Sequence, residues 1–143
     1  MNGGEGNDRV TGNRGDDTVN GDSGIDEIHA GSGNDTVSGG ADADTINGDG
    51  GNDVINGGDG GDAIFGGDGG DRVDGGRGND QIAGGTDNDD LWGGLGTDIL
   101  TGGGGEVRGH IGLRQQLAID GGRRVGLFEG GEALPRAQQP SPA

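Results

Sequence analysis

Cysteine is absent from this chain, and so are lysine and tyrosine; its 143 residues include two phenylalanines, one tryptophan and three prolines. Without cysteine no disulfide staples the fold and no zinc–thiolate site forms. No apolar run approaches the roughly 18 residues of a membrane-spanning helix. The opening Met-Asn-Gly-Gly-Glu has neither a charged nor an apolar leader region, so no cleaved signal peptide is expected. Apolar residues make up 25% of the chain, and the formal charge is −17. Such a balance ordinarily reads as intrinsic disorder. The charge is uneven, however. Residues 1–100 hold 22 acids and four arginines, whereas residues 101–143 hold four acids and five arginines. This acidity argues against nucleic acid and membrane insertion and in favour of cations as partners.

Glycine is present in excess, at 41 residues, and it is placed periodically. From Asn2 to Leu100 a nine-residue unit, x-G-G-x-G-x-D-x-U, recurs eleven times without insertion or deletion, U being a branched apolar residue. The U column is Val10, Val19, Ile28, Val37, Ile46, Ile55, Ile64, Val73, Ile82, Leu91 and Leu100. Two residues before each stands an aspartate: Asp8, Asp17, Asp26, Asp35, Asp44, Asp53, Asp62, Asp71, Asp80, Asp89 and Asp98. A short fixed period is the mark of a stacked, solenoid-like architecture. A solvated acidic polymer is the competing reading, but a coil has no use for strict phase between Asp and U.

The unit resembles the RTX (hemolysin-type) calcium-binding nonapeptide repeat, and the resemblance covers about two-thirds of the chain. It implies an all-β fold, a parallel β-roll (a right-handed two-sheet β-solenoid) stapled by calcium. It also implies a bacterial protein exported to the extracellular space by a one-step, signal-peptide-independent route.

Read physically, the first six positions of each unit are turn chemistry and the last three a short strand, x-U-x, with only U pointing inward. Of the consensus glycine positions, six carry Asn13, Asp22, Ala30, Asp42, Asp49 and Asp87. Five of these are Asn or Asp, the residues that best tolerate positive φ, so a left-handed or tightly turned backbone is expected there. Two units should make one coil of 18 residues with a strand in each of two facing sheets. At a strand spacing of roughly 4.7–4.9 Å the roll would be on the order of 25 Å long. One buried aliphatic side chain per nine residues, worth about 1.5–3 kcal/mol, is small beside the entropy of ordering nine residues rich in glycine. The apolar core alone should not fold this chain.

Calcium takes six to eight oxygen ligands at about 2.3–2.6 Å in a flexible geometry. Each turn offers one carboxylate and several carbonyls, which is too few for one ion. Two turns on the same side of the roll, one coil apart, supply enough. Unit k is therefore expected to pair with unit k+2, with the eleven aspartates as metal ligands and up to about nine Ca2+ ions. Magnesium demands tighter octahedral geometry and fits poorly; softer metals lack thiolate or clustered imidazole.

Other features carry less. Gly21-Asp22-Ser23-Gly24 spells a serine-nucleophile tetrapeptide but lies in phase with the repeat. His29 falls on the outside of the roll by phase, and Phe65 and Trp92 fall on opposite sheets. No lipase, zincin, P-loop or EF-hand pattern occurs. Enzymatic activity is not expected of residues 2–105. Residues 106–143 lose the period, with Val107 where an aspartate belongs; they are expected to be an irregular, poorly ordered tail, Leu113 and Leu117 being spaced for one face of a short helix. The expected function is calcium binding coupled to calcium-triggered folding of a secreted module. The alternatives are the C-terminal part of a larger secreted enzyme or toxin, and an adhesin whose outer face meets a cell-surface or glycan partner.

Overall fold

The structure, a computed structural model, describes residues 1–111, 116–117, 125–129 and 132–133, with side chains through Arg108. It is a two-sheet parallel β-solenoid of about six turns, and no helix occurs among the described residues. One sheet stacks β1 (Asn2–Glu5), β3 (Thr18–Ser23), β5 (Thr36–Ala41), β7 (Val54–Asp59), β9 (Arg72–Arg77), β11 (Asp89–Trp92), β13 (Val107–Ile111), β15 (Val125–Glu129) and β16 (Glu132–Ala133). The other stacks β2 (Arg9–Thr11), β4 (Glu27–Ser32), β6 (Thr45–Gly50), β8 (Ala63–Gly67), β10 (Gln81–Gly85), β12 (Ile99–Gly103) and β14 (Gln116–Leu117).

The register is 18 residues throughout the repeats, for example Val19 against Val37 and Val37 against Ile55 in one sheet, Ile28 against Ile46 and Ile46 against Ile64 in the other. The coil is thus two units, and unit k lies on unit k+2. Sequence limits the offset to multiples of nine, because any other would break the superposition of apolar residues that one face must bury; placing a strand of each coil in each of two sheets makes it 18. The U residues of both sheets form one continuous core from Val10 to Leu100, joined by Ala30 and Val107.

The strands differ from the expected x-U-x. Six of the strands β1–β12 run six residues, through x-U-x-G-G-x, and their first four positions alternate outward and buried: in Thr18–Ser23 both Val19 and Gly21 point inward. Only the three positions G-x-D make the turn. Glycine at position two of the unit therefore serves a different end from the other glycines. It lies in the sheet facing the core, and its lack of a side chain is what lets the next coil come close. A Cβ on Gly48 would collide with the Gly66 carbonyl oxygen, and would stand 2.6 Å from Asp53 Oδ2 and 3.2 Å from Ile55 Cδ1.

Glycines at positions three and five do take positive φ, and the five Asn or Asp substitutes follow them, with φ between 70 and 80 at Asn13, Asp22, Asp42, Asp49 and Asp87. Ala30 is the exception because it occupies position two, where φ is not positive. Its unit ends in Val37, which has no δ-methyl to crowd a Cβ.

The sheet does not stop at residue 105: β13 continues it in parallel register on β11, and β15 and β16 follow. The irregular tail expected over 106–143 otherwise falls largely outside the described residues. So does Leu113, while Leu117 sits on strand β14 opposite Leu100 and not on a helix.

Gly48→Ala is expected to destabilise the folded roll by about 1–3 kcal/mol, the usual cost of overpacking, seen as a lower urea midpoint. Adding Ile55→Val should recover part of the loss. A midpoint equal to the parent's would mean that the coils separate at no cost.

Candidate metal centre

Each turn ends in the aspartate of its unit, and the turns alternate between the two edges of the roll. Asp8, Asp26, Asp44, Asp62, Asp80 and Asp98 stack along the first edge; Asp17, Asp35, Asp53, Asp71 and Asp89 stack along the second. From Asp26 onward all are buried to within 2% of full occlusion. The alternation of the strand turns these carboxyls inward, beside the aliphatic core and not into solvent.

The two carboxyl oxygens have separate fates. Oδ1 accepts the backbone N–H of the aspartate one coil earlier. Asp53 Oδ1, for example, takes Asp35 N–H at 2.8 Å, and Asp53 N–H in turn donates to Asp71 Oδ1 at 2.8 Å. Nine such bonds, at 2.7–2.9 Å, link every pair of units k and k+2. Oδ2, by contrast, is buried without a hydrogen-bond donor at all ten aspartates from Asp8 to Asp89. A stranded carboxylate oxygen costs far more than a neutral polar atom unless a proton or cation meets it.

No salt bridge among the described residues brings a side-chain cation to these carboxyls. Among the described residues the ion pairs lie on the outer surface, where Glu27 meets Arg9 at 3.5 Å and His29 at 3.2 Å, and His29 meets Asp49 at 3.6 Å. Burial accordingly pushes Asp44, Asp53, Asp80 and Asp89 up to about 6 and Asp71 up to about 7, and raises Asp62. The accepted backbone N–H opposes the shift at each, and neighbouring carboxylates add to it.

A second ladder was not read from the sequence. At position six the side-chain oxygen of Asn7, Asp16, Asn34, Asn52, Asn79 or Asn88 accepts the backbone N–H of the residue one coil later, at 2.8–2.9 Å. Position seven reaches back one coil and position six reaches forward, so a turn holding both is clamped in two directions. The signal was present as Asn or Asp in six of eleven units, but it is easily taken for ordinary turn composition.

The surface features behave as their phase requires. His29 is on the outer face, Ser23 lies on a sheet strand, and Phe65 and Trp92 sit on different sheets, Trp92 under the Arg72 guanidinium at 4.8 Å.

The donor set can now be compared with known metal chemistry. Among the described residues no three acidic, histidine or cysteine side chains converge on one point. An ion here must draw on backbone carbonyls together with one carboxylate per turn. Oxygen donors alone, on glycine-rich loops, suit a hard cation of flexible geometry. Family comparison agrees: the model of the RTX calcium-binding nonapeptide repeat matches residues 1–28, 20–55, 29–64, 48–82 and 74–106.

The chain belongs to that family.

Searches among curated proteins and among solved structures each gave no match. As RTX repeats, these units bind Ca2+, and the regular row of buried aspartates, one every nine residues, fits such sites.

The shifted carboxyls set a pH dependence for the calcium-free chain. Their folded values lie above the ordinary carboxyl range, so the folded roll binds protons more tightly than the unfolded chain. The resulting stability is fully present below the unfolded value and is lost as pH rises through about 6 to 7. Circular dichroism of the calcium-free chain should therefore gain β signal on acidification from pH 8 to pH 5. A spectrum constant over that range would show that these carboxyls are not buried in the free chain.

Proposed function

We propose that the eleven column aspartates are the calcium ligands of this chain, each ion lying between turns k and k+2 and completed by turn carbonyls. The observation that carries this reading is the row of buried, donorless Oδ2 atoms at a constant 18-residue spacing on each edge. With eleven turns, nine such intervals exist. The role is binding and structural, not catalytic.

Calcium is also the trigger of folding. The uncompensated carboxylates and the thin core make the calcium-free roll unfavourable at neutral pH, and an ion that binds only the folded state stabilises it in proportion to its concentration. A chain that stays extended where calcium is scarce and folds where it is millimolar suits a protein exported from a bacterium to the extracellular medium. The family resemblance supports that setting.

Two experiments test the reading. Circular dichroism should show a coil-like spectrum in excess chelator at neutral pH and a β-rich one in millimolar calcium, with magnesium at equal concentration doing little. A β spectrum that persists in chelator would remove the trigger. The second separates shared from private sites. Asp53 faces Asp35 on one side and Asp71 on the other, whereas Asp98 ends its column above Asp80. Asp53→Ala should therefore cost about two ions by calorimetry and raise the calcium midpoint more, and Asp98→Ala about one. Equal losses would mean that each unit holds its own ion.

A further inference from the structure

The second edge of the roll ends differently from the first. A twelfth unit begins at Thr101 in correct phase, and β13 aligns it on β11 with the 18-residue register intact, Asp89 against Val107 and Leu91 against Gly109. Val107 thus stands in the aspartate column, and a glycine stands where U belongs. The backbone has not left the roll; two side chains have been exchanged.

Val107 fills the place of a carboxyl. It is 5% exposed and belongs to the continuous core. In the repeats, the nearest side-chain group to a Cβ placed on the position-two glycine is Oδ2 of the unit's own aspartate, as at Gly48 and Gly57. At Gly102 it is Cγ2 of Val107. The valine methyl occupies the space of the donorless oxygen.

The hydrogen bonding adjusts around it. Every earlier column aspartate with a successor on its edge donates its backbone N–H to that successor's Oδ1. Asp89 has no such acceptor and donates instead to the Glu106 carbonyl at 3.0 Å. Glu106 N–H meanwhile donates to Asn88 Oδ1 at 2.8 Å. Gly104 N–H donates to the Gly85 carbonyl at 2.8 Å, so three hydrogen bonds fasten the twelfth unit to the tenth, none of which involves a carboxylate.

We propose that Val107 closes the calcium column of the second edge, limiting the roll to five ion intervals on the first edge and four on the second, and that it secures the C-terminal coil without metal. This rests on the assignment of ions to the intervals between turns k and k+2. Substituting aspartate at this one position restores the missing column member in a turn that already has the correct register.

The full chain, Val107→Asp, Val107→Ala and the double variant Val107→Asp with Asp89→Ala would be titrated with calcium by calorimetry, with circular dichroism at saturating calcium as the check of folding. Val107→Asp should bind one more ion per chain than the parent, and the double variant should bind one fewer than the parent, because Asp89 bounds both the new interval and the one it already shares with Asp71. Val107→Ala should keep the parent's stoichiometry and raise the calcium midpoint about threefold through lost packing. An unchanged stoichiometry in a folded Val107→Asp overturns the proposal, as does a Val107→Ala midpoint equal to the parent's or a lost ion in that variant. If Asp53→Ala and Asp98→Ala lose equal numbers of ions, the interval model has failed on its own account. An unchanged Val107→Asp beside unequal losses in those two would fault Val107 alone.

Discussion

A carboxylate buried with one oxygen satisfied and the other stranded is the constraint on which this roll depends. The inward turn of each aspartate is forced by strand alternation, and the same geometry that seats Oδ1 on the backbone N–H of the preceding coil leaves Oδ2 inside with no donor. Repeated along two edges, this makes two rows of like charges in a poorly solvated interior. Hydrogen bonding does not relieve them, because no donor meets Oδ2 at any of the ten aspartates from Asp8 to Asp89. Protons relieve them at acid pH, and in the proposed reading calcium does so at neutral pH. The acid-rich repeats, the scarcity of basic residues among them and the absence of lysine all keep that requirement from being met internally.

Glycine has two separate duties in this arrangement. At positions three and five it supplies positive φ, which Asn and Asp can also adopt, and the chain substitutes them there at φ near 70 to 80. At position two it keeps the strand face bare, so that the carbonyl of the next coil and the aspartate of the same unit can share the space beside it. The first duty is conformational and tolerates Asx; the second is steric, and its single replacement is the smallest possible, Ala30.

The two edges are not equivalent. On the second edge Asp16, Asn34, Asn52 and Asn88 each reach forward to the next coil and Gly70 breaks the ladder once, whereas on the first only Asn7 and Asn79 do so, with Ile25, Ala43 and Gly61 interrupting it. The second edge therefore holds more hydrogen bonds that need no ion, and it is also the edge on which Val107 ends the aspartate column.

Sequence alone determined the period, the inward U column and the aspartate column, since all of these follow from translation of one short unit and need no knowledge of what lies beside it; the 18-residue coil followed only with the two-sheet roll that the resemblance implied. It also located the left-handed positions, because Asn and Asp betray them chemically. What it misjudged or missed depends on the neighbouring coil. The strands run on through both glycines, as in Thr18–Ser23, because the next coil's backbone pairs with them. The division of labour between Oδ1 and Oδ2, the forward-reaching Asn side chains and the apolar closure at Val107 are equally properties of the contact between residues 18 apart. A nine-residue motif states what each turn carries; only stacking decides which of its atoms meet a partner and which are left for an ion.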